Sequence, residues 1–152
     1  MTQTTPDRIE KQILLRAPRA RVWQAISRAK EFGAWFLVEF ETDFREGATV
    51  RGRITNPGYE HVPMVITIER MEPERLFSYR WRPYAIDPTV DYSGEPTTLV
   101  EFRLADAEGG TLLTIVESGF EGIPIARRAE AYRMNDMGWG IQTENVRRYV
   151  EG

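Results

Sequence analysis

The sequence predicts an α+β fold in which a curved antiparallel sheet packs against one long C-terminal helix. Between residues 49 and 118, apolar and polar side chains alternate in successive short segments, as expected of strands with one buried face. Helical spacing of apolar residues precedes these segments and returns after Pro124. Strands grouped between helices indicate an α+β topology, because α/β folds interleave the two kinds of element.

The first predicted elements are one strand and two helices. Alternation predicts a strand over residues 9–15. Pro18 suits the first position of a helix, where its missing N–H costs nothing, and apolar residues recur at helical spacing over residues 22–29. The aromatic residues within 32–36 favour a second short helix or a turn.

About six antiparallel strands are predicted to follow. Turn residues at 56–58 and 71–74 interrupt the alternation, and the turn at 108–110 joins the two strands of a hairpin. Residues 83–95 lack a period and are predicted to form a loop, either a lid over one end of a cavity, a surface insertion or an edge that contacts a partner. A final helix is predicted over residues 124–150.

The composition indicates a globular chain without cysteine chemistry. A net charge of −3 gives no electrostatic reason to expect nucleic acid. The lack of cysteine excludes disulfides, thiol nucleophiles and cysteine-ligated metals. No apolar run reaches the roughly 18 residues of a membrane span, and the N-terminus lacks the apolar segment of a signal peptide, so we expect a cytoplasmic protein. The length favours a single domain over residues 1–152.

Several short motifs follow one another in a distinctive order. They are A-P-x-x-x-V-W-x-A-I from Ala17 with Trp35-Phe36 after it, Arg45-Glu46-Gly47, TLVEFRL…GGTLLTIVESGF from Thr98 to Phe120, and Gly138-Trp139 in the last helix. In this order they resemble the START-like, or SRPBCC, superfamily. The resemblance is greatest to its AHSA-type branch, which is related to the activator of heat-shock-protein ATPase, and it covers about residues 8–150.

The resemblance implies a helix-grip fold, in which the sheet wraps around the long helix and leaves a cavity between them. Relatives use this cavity for lipids, hormones, polyketides and aromatic molecules, and a minority are cyclases, hydrolases or other enzymes. Others bind the heat-shock chaperone and stimulate its ATPase. Because one fold serves such different activities, function has to be argued from the site. The branch has no shared catalytic motif that transfers to residues of this chain.

The last helix carries a stripe of residues spaced alternately by four and three positions, which places them on one face. The stripe consists of Ile125, Ala129, Tyr132, Asp136, Trp139, Thr143, Val146 and Val150. Asp136 and Thr143 interrupt its apolar character on either side of Trp139. Since a carboxylate in a dry core is costly, Asp136 and Thr143 either face a partly wet cavity and contact a ligand, or Asp136 pairs with a sheet arginine or lies just off the stripe.

The predicted ligand site surrounds Trp139. From the sheet, Phe77, Tyr79 and Trp81 share one strand face and suit the walls of a site for a flat apolar or aromatic ligand, with core packing as the alternative. From the helix, the predicted contacts are Tyr132, Asp136, Trp139, Gly140 and Thr143. Gly140 is expected to open space at the edge of the stripe, and Gly138 to allow the close approach of a neighbouring segment or a bend.

No catalytic residue, cofactor site or metal site is predicted. His61 is the only histidine and lies in a turn before a strand, where a surface position is expected more often than a general base. No cluster of His, Asp and Glu residues has a recognisable metal-ligand spacing, and no second histidine exists to complete one. A serine triad would depend on His61 alone.

Three functions are consistent with these residues. A binding protein for a small hydrophobic or aromatic ligand accounts for the polar breaks in the helix stripe. A chaperone-regulating or stress-response interaction module would instead have a filled cavity and an exposed patch. A cyclase- or hydrolase-type enzyme would use Asp136, Tyr79 or His61 as acid or base. We expect the binding protein, as a monomer or a homodimer.

Overall fold

A computed structural model describes residues 6–152 of the chain, and it confirms the predicted α+β fold. The strands are β1 (Arg8–Leu15), β2 (Val38–Phe40), β3 (Thr49–Ile54), β4 (Pro63–Glu72), β5 (Leu76–Trp81), β6 (Thr98–Ala107) and β7 (Gly110–Ser118), and the helices are α1 (Arg19–Ser27), α2 (Ala29–Phe36) and α3 (Ile125–Glu151). The predictions of a domain over residues 1–152 and of an N-terminus without a signal peptide include residues 1–5, which lie outside the described residues.

The seven strands form one antiparallel sheet in the order β1-β7-β6-β5-β4-β3-β2. The two short helices carry the chain from β1 at one edge to β2 at the opposite edge, and each later strand then pairs with the one before it. Trp139, Val146 and Val150 of α3 are buried in the same core as the inward side chains of the sheet. This is the predicted arrangement of a sheet that grips its C-terminal helix.

The sheet register places the sheet residues of the site in two neighbouring rows on one face. Tyr79 of β5 lies opposite Val100 of β6, and Val100 lies opposite Glu117 of β7. Trp81 of β5 and Thr98 of β6 form a pair two residues away from the pair of Tyr79 and Val100, on the same face. Because residues directly opposite each other in a sheet point to the same face, Glu117 shares the buried face of Tyr79.

The sequence did not reveal β2, which has three residues and is too short for a recognisable alternation. Leu37 ends α2 in the left-handed conformation, and β2 begins at the next residue. Gly33 permits this tight junction, since a Cβ there would lie 2.0 Å from the carbonyl oxygen of Val38. Asp43 then caps the start of α2 by accepting a hydrogen bond of 2.8 Å from the N–H of Ala29.

Residues 83–95 lie in the loop between β5 and β6, and Arg127 in the first turn of α3 anchors them. Its guanidinium donates to the carbonyl oxygen of Pro83 at 2.7 Å and to Oε1 of Glu95 at 2.6 Å, and it lies 4.9 Å from the centre of the Tyr92 ring. The loop is thereby fixed at the N-terminal end of α3, and its role as a lid stays a prediction.

Within residues 6–152, no helix is long and apolar enough to cross a membrane.

Candidate functional site

A buried carboxylate lies at the centre of the grip, between the sheet and α3. Glu117 is the inward residue that follows Leu113 and Ile115 along β7, and its side chain is fully buried. Alternation of the strand therefore directs a charged group into the core, where it requires several hydrogen-bond donors to be tolerated.

Side chains from β5, β6 and α3 supply those donors. The Oε2 atom of Glu117 accepts hydrogen bonds from Trp81 Nε1 at 2.8 Å and from Thr98 Oγ1 at 2.6 Å. The Oε1 atom accepts from Trp139 Nε1 at 2.8 Å. Asn135 Nδ2 donates to both oxygens, at 2.9 and 3.2 Å. All four partners donate to the carboxylate oxygens and none of them carries a charge, so none of them cancels the negative charge of a carboxylate.

The carboxylate fixes the geometry of the two tryptophans. Each indole N–H points at Glu117, so the positions of both rings are set by hydrogen bonds as well as by packing. The Trp81 and Trp139 rings lie 5.8 Å apart between centroids, and the Phe36 ring lies 6.1 and 6.0 Å from them. We call these three residues the aromatic triad. It joins β5, α2 and α3 above the buried charge.

Tyr79 packs against Trp81 of the aromatic triad. Its hydroxyl is buried and lacks a hydrogen-bond partner among residues 6–152. Burial raises the pKa of Tyr79 well above its usual range, and the negative charge of Glu117 adds to that shift. The hydroxyl is therefore neutral in the folded protein at any moderate pH.

A cleft of about 180 Å³ opens between the aromatic triad and α3. Its lining residues are Phe36, Trp81, Asn135, Gly138, Trp139 and Gln142. Gln142 donates to the backbone carbonyl oxygen of Phe36 at 3.3 Å and so ties α3 to the end of α2 beside the cleft. The cleft is lined by three aromatic rings and by the amides of Asn135 and Gln142, and three of its lining side chains bond directly to Glu117.

Gly138 keeps this cleft open. It lines the cleft, and a Cβ built on it would meet no atom within 4 Å. Of the two explanations offered for Gly138, the close approach of a neighbouring segment is therefore wrong, and a bend stays a prediction. A longer side chain at this position would extend into the space of the cleft, so the glycine, despite its cost of about 1 kcal/mol in a helix, leaves room beside Trp139.

From the predicted ligand site, the structure brings Trp81 and Trp139 to the cleft. Phe77 and Tyr79 lie deeper, fully buried in the core. Phe77 stacks on Phe44 with ring centroids 5.3 Å apart. This contact corresponds to core packing, the alternative to a ligand contact that the sequence left open.

The other predicted residues of α3 have partners outside the cleft. Asp136 forms an ion pair of 2.9 Å with Lys11 of β1, so its basic partner is a lysine and not an arginine. Thr143 is buried and donates to the carbonyl oxygen of Gly140 in its own helix at 2.8 Å. Gly140 is exposed on the outer side of α3. Tyr132 donates to the carbonyl oxygen of Arg8.

Sequence reasoning missed Glu117, Asn135, Phe36 and Gln142 as site residues. A signal for Glu117 existed, because an acidic residue at the inward position of an alternating strand requires a polar partner inside. Asn135 lies one turn before Trp139, but its contact with Glu117 depends on how the helix crosses the sheet. Gln142 of α3 contacts Phe36 at the end of α2, and the sequence did not define where α2 lies relative to α3.

Other concavities are larger but differ in character. A groove of about 970 Å³ runs along α2 and β2 and includes several exposed charged side chains, among them Lys30, Glu39 and Glu41. His61 is exposed in its turn. Within residues 6–152, no three His, Asp or Glu side chains are placed to hold a metal ion.

The fold, with its site between the sheet and the C-terminal helix, defines the chain as a helix-grip domain of the SRPBCC type. It belongs to the family described as activator of Hsp90 ATPase homolog 1-like proteins, whose model matches residues 16–151. No match was found among curated proteins.

Solved structures with the same fold come from several bacteria. A protein from Mesorhizobium loti is 19% identical, with a TM-score of 0.74 over 95% of this chain and 96% of its own. A protein from Bacillus halodurans is 27% identical, with a TM-score of 0.67 over 96% of this chain and 97% of its own. The Aha1 dimer from Colwellia psychrerythraea is 14% identical, with a TM-score of 0.70 over 95% and 96%.

Proposed function

We propose that the chain is a binding protein for a small hydrophobic or aromatic molecule, which it holds in the cleft between the sheet and α3. The observation that supports this most strongly is the pair of indoles fixed by a buried carboxylate beside an open glycine. A purely structural core has no need to leave space next to its largest side chain, since close packing is the more stable arrangement.

The size of the cleft limits the ligand. Sites for drug-sized molecules occupy about 300–1,000 Å³, whereas this cleft measures about 180 Å³. It accommodates one ring or one compact head group, so the ligand is either a small molecule or a larger one that inserts only one end. The aromatic triad provides the apolar contact, and the amides of Asn135 and Gln142 provide polar contacts at the rim.

Titration of the protein with indole, phenol and similar single-ring compounds tests the proposal. Binding is followed by NMR through the indole N–H signals of Trp81 and Trp139, which report on the cleft. Native mass spectrometry of protein purified from its own host would reveal a molecule that remains bound. If none of these compounds moves those two signals and no molecule co-purifies, the proposal is wrong.

Two glycines of α3 offer a matched pair of variants. Gly138→Leu places a side chain in the cleft and is expected to weaken binding at least about tenfold, as the space is filled. Gly140→Leu adds the same side chain on the exposed side of the same helix, where a Cβ also meets no atom within 4 Å, and is expected to leave the affinity unchanged. Equal affinities for the two variants would contradict a site at this cleft.

A specific observation favours a second function, that of a module that contacts a chaperone. Met137 and Ile141 are 53% and 62% exposed on the outer side of α3, and they flank Gly140. An apolar pair beside a glycine suits contact with another protein. Purified Hsp90-type chaperone from the same host would then bind the protein, and Ile141→Lys would weaken that binding while cleft ligands bind as before.

A further inference from the structure

We infer that the cleft selects a positively charged group, such as an alkylammonium or a quaternary ammonium, as the part of the ligand that it holds. This inference rests on the proposed function and names the class of ligand for the same cleft. It follows from the charge behind the cleft, the aromatic surface in front of that charge and the chemistry of the rim.

The charge comes from Glu117. Three of the side chains that line the cleft, Trp81, Asn135 and Trp139, bond directly to its carboxylate at 2.8–3.2 Å, so the charge lies one side chain behind the cleft surface. Its hydrogen-bond partners are neutral, and its burial limits screening by water and salt. A cation in the cleft would therefore experience an attraction that a neutral molecule of the same shape does not.

The aromatic surface adds to this preference. Phe36, Trp81 and Trp139 form one wall, and aromatic faces attract cations through their quadrupole, with tryptophan the strongest. Both indole N–H groups donate to a carboxylate, which polarises the rings and makes their faces more negative.

The other residues that line the cleft also favour a cation over an anion. Asn135 uses Nδ2 for both of its contacts with Glu117, and among residues 6–152 no donor is bonded to its Oδ1. Because Asn135 lines the cleft and an amide oxygen only accepts, this side chain adds an acceptor and no basic group to the lining. None of the six lining residues is basic, so an anionic ligand would meet the negative charge of Glu117 without a compensating cation.

The test compares choline with its neutral isostere dimethylbutanol, in which carbon replaces the quaternary nitrogen. The two molecules have nearly the same shape, so a difference in affinity reports charge. We expect choline to bind about tenfold more tightly, measured by NMR titration of the Trp81 and Trp139 indole signals. A ratio below threefold, or no binding of choline, would overturn the inference.

The neutral single-ring probes separate this inference from the proposed function. If indole or phenol binds the cleft but choline shows no preference over its isostere, the proposed binding site stands and the selection for cations is wrong. If neither choline nor any neutral probe moves the two indole signals and no molecule co-purifies, both are wrong.

Two variants locate the source of the selectivity. Near-ultraviolet circular dichroism first verifies that Glu117→Gln is folded. The folded variant should lose the preference for choline and retain its affinity for dimethylbutanol. Because this variant removes a buried network and can fail to fold, Phe36→Leu provides a second measurement. It keeps an apolar wall but removes an aromatic face, so choline should weaken more than dimethylbutanol. Equal weakening of both ligands would contradict the inference.

Discussion

The indole N–H of Trp139 donates to Oε1 of Glu117 at 2.8 Å, and this bond joins the middle of α3 to the end of β7. Trp81 of β5 makes the same contact with the other oxygen of the carboxylate, also at 2.8 Å. With the hydrogen bond from Thr98 of β6, one acidic side chain of β7 thus holds the helix and three strands together at the floor of the cleft. The Gly138-Trp139-Gly140 sequence combines this anchored tryptophan with open space on its cleft side.

Replacement of Glu117 by glutamine is expected to destabilise the protein by about 2–4 kcal/mol. The amide would direct its own N–H groups toward the donors of Trp81, Thr98, Asn135 or Trp139 and leave some of them unsatisfied. Urea denaturation measures the change in the free energy of unfolding. Glu108→Gln, in the exposed turn of the last hairpin, removes the same charge and should change stability by less than about 0.5 kcal/mol. Similar values for the two variants would show that the buried network contributes little.

Alanine substitutions at three glycines should have opposite effects. Gly138→Ala and Gly140→Ala are each expected to stabilise the protein by about 0.5–1 kcal/mol, because both lie within α3 and a Cβ meets no atom within 4 Å. Gly33→Ala should instead destabilise it by about 1–3 kcal/mol or more, since its Cβ would lie 2.0 Å from the oxygen of Val38. Thermal unfolding of the three variants checks the signs. Destabilisation by Gly138→Ala would mean that the space beside it is not open.

The buried hydroxyl of Tyr79 predicts a stabilising substitution. Tyr79→Phe removes a group without a hydrogen-bond partner and is expected to raise the free energy of unfolding by about 1 kcal/mol at neutral pH. Tyr59→Phe, at an exposed position, should leave stability unchanged. A loss of stability in Tyr79→Phe would indicate that the hydroxyl has a favourable partner in solution.

The same residue predicts a dependence on alkaline pH. Burial, with a smaller contribution from Glu117, raises the pKa of Tyr79 in the folded state above its unfolded value of about 10. Above that pH the unfolded chain loses the proton and the folded protein retains it, so stability falls as the pH rises. In Tyr79→Phe this contribution is absent. Denaturation at pH values from about 9 to 11 should therefore show a shallower loss for the variant than for the parent protein, and parallel curves would contradict the assignment.

Arg127 is predicted to control the mobility of the loop over residues 83–95. Its guanidinium donates hydrogen bonds to the Pro83 carbonyl oxygen and to the Glu95 carboxylate at the same time. The single ammonium of lysine cannot reproduce this geometry. In Arg127→Lys, hydrogen exchange and proteolysis in the loop should become faster, with a loss of roughly 1–2 kcal/mol in stability. Arg133→Lys, at an exposed position of the same helix, is the control and should leave the loop protected.

Local patterns in the sequence were sufficient to predict the order of most elements and the fold that they form. Period-two alternation marked the strands, helical spacing marked α1 and α3, and the order of these elements together with motifs such as Gly138-Trp139 indicated the family. These signals are local, because they depend on residues a few positions apart. A strand of three residues such as β2 carries too short a signal, and it remained hidden.

Which side chains meet depends on contacts between distant elements, and these became visible only in the folded chain. Trp81, Thr98, Glu117 and Asn135 lie on four different elements, and the sheet register and the path of α3 bring them to one carboxylate. The helix stripe placed Asp136 beside Trp139, but the rotation of α3 directs that carboxylate to Lys11 and turns Asn135 toward Glu117. Helix rotation and strand register are set by packing across the whole core, which no local pattern contains.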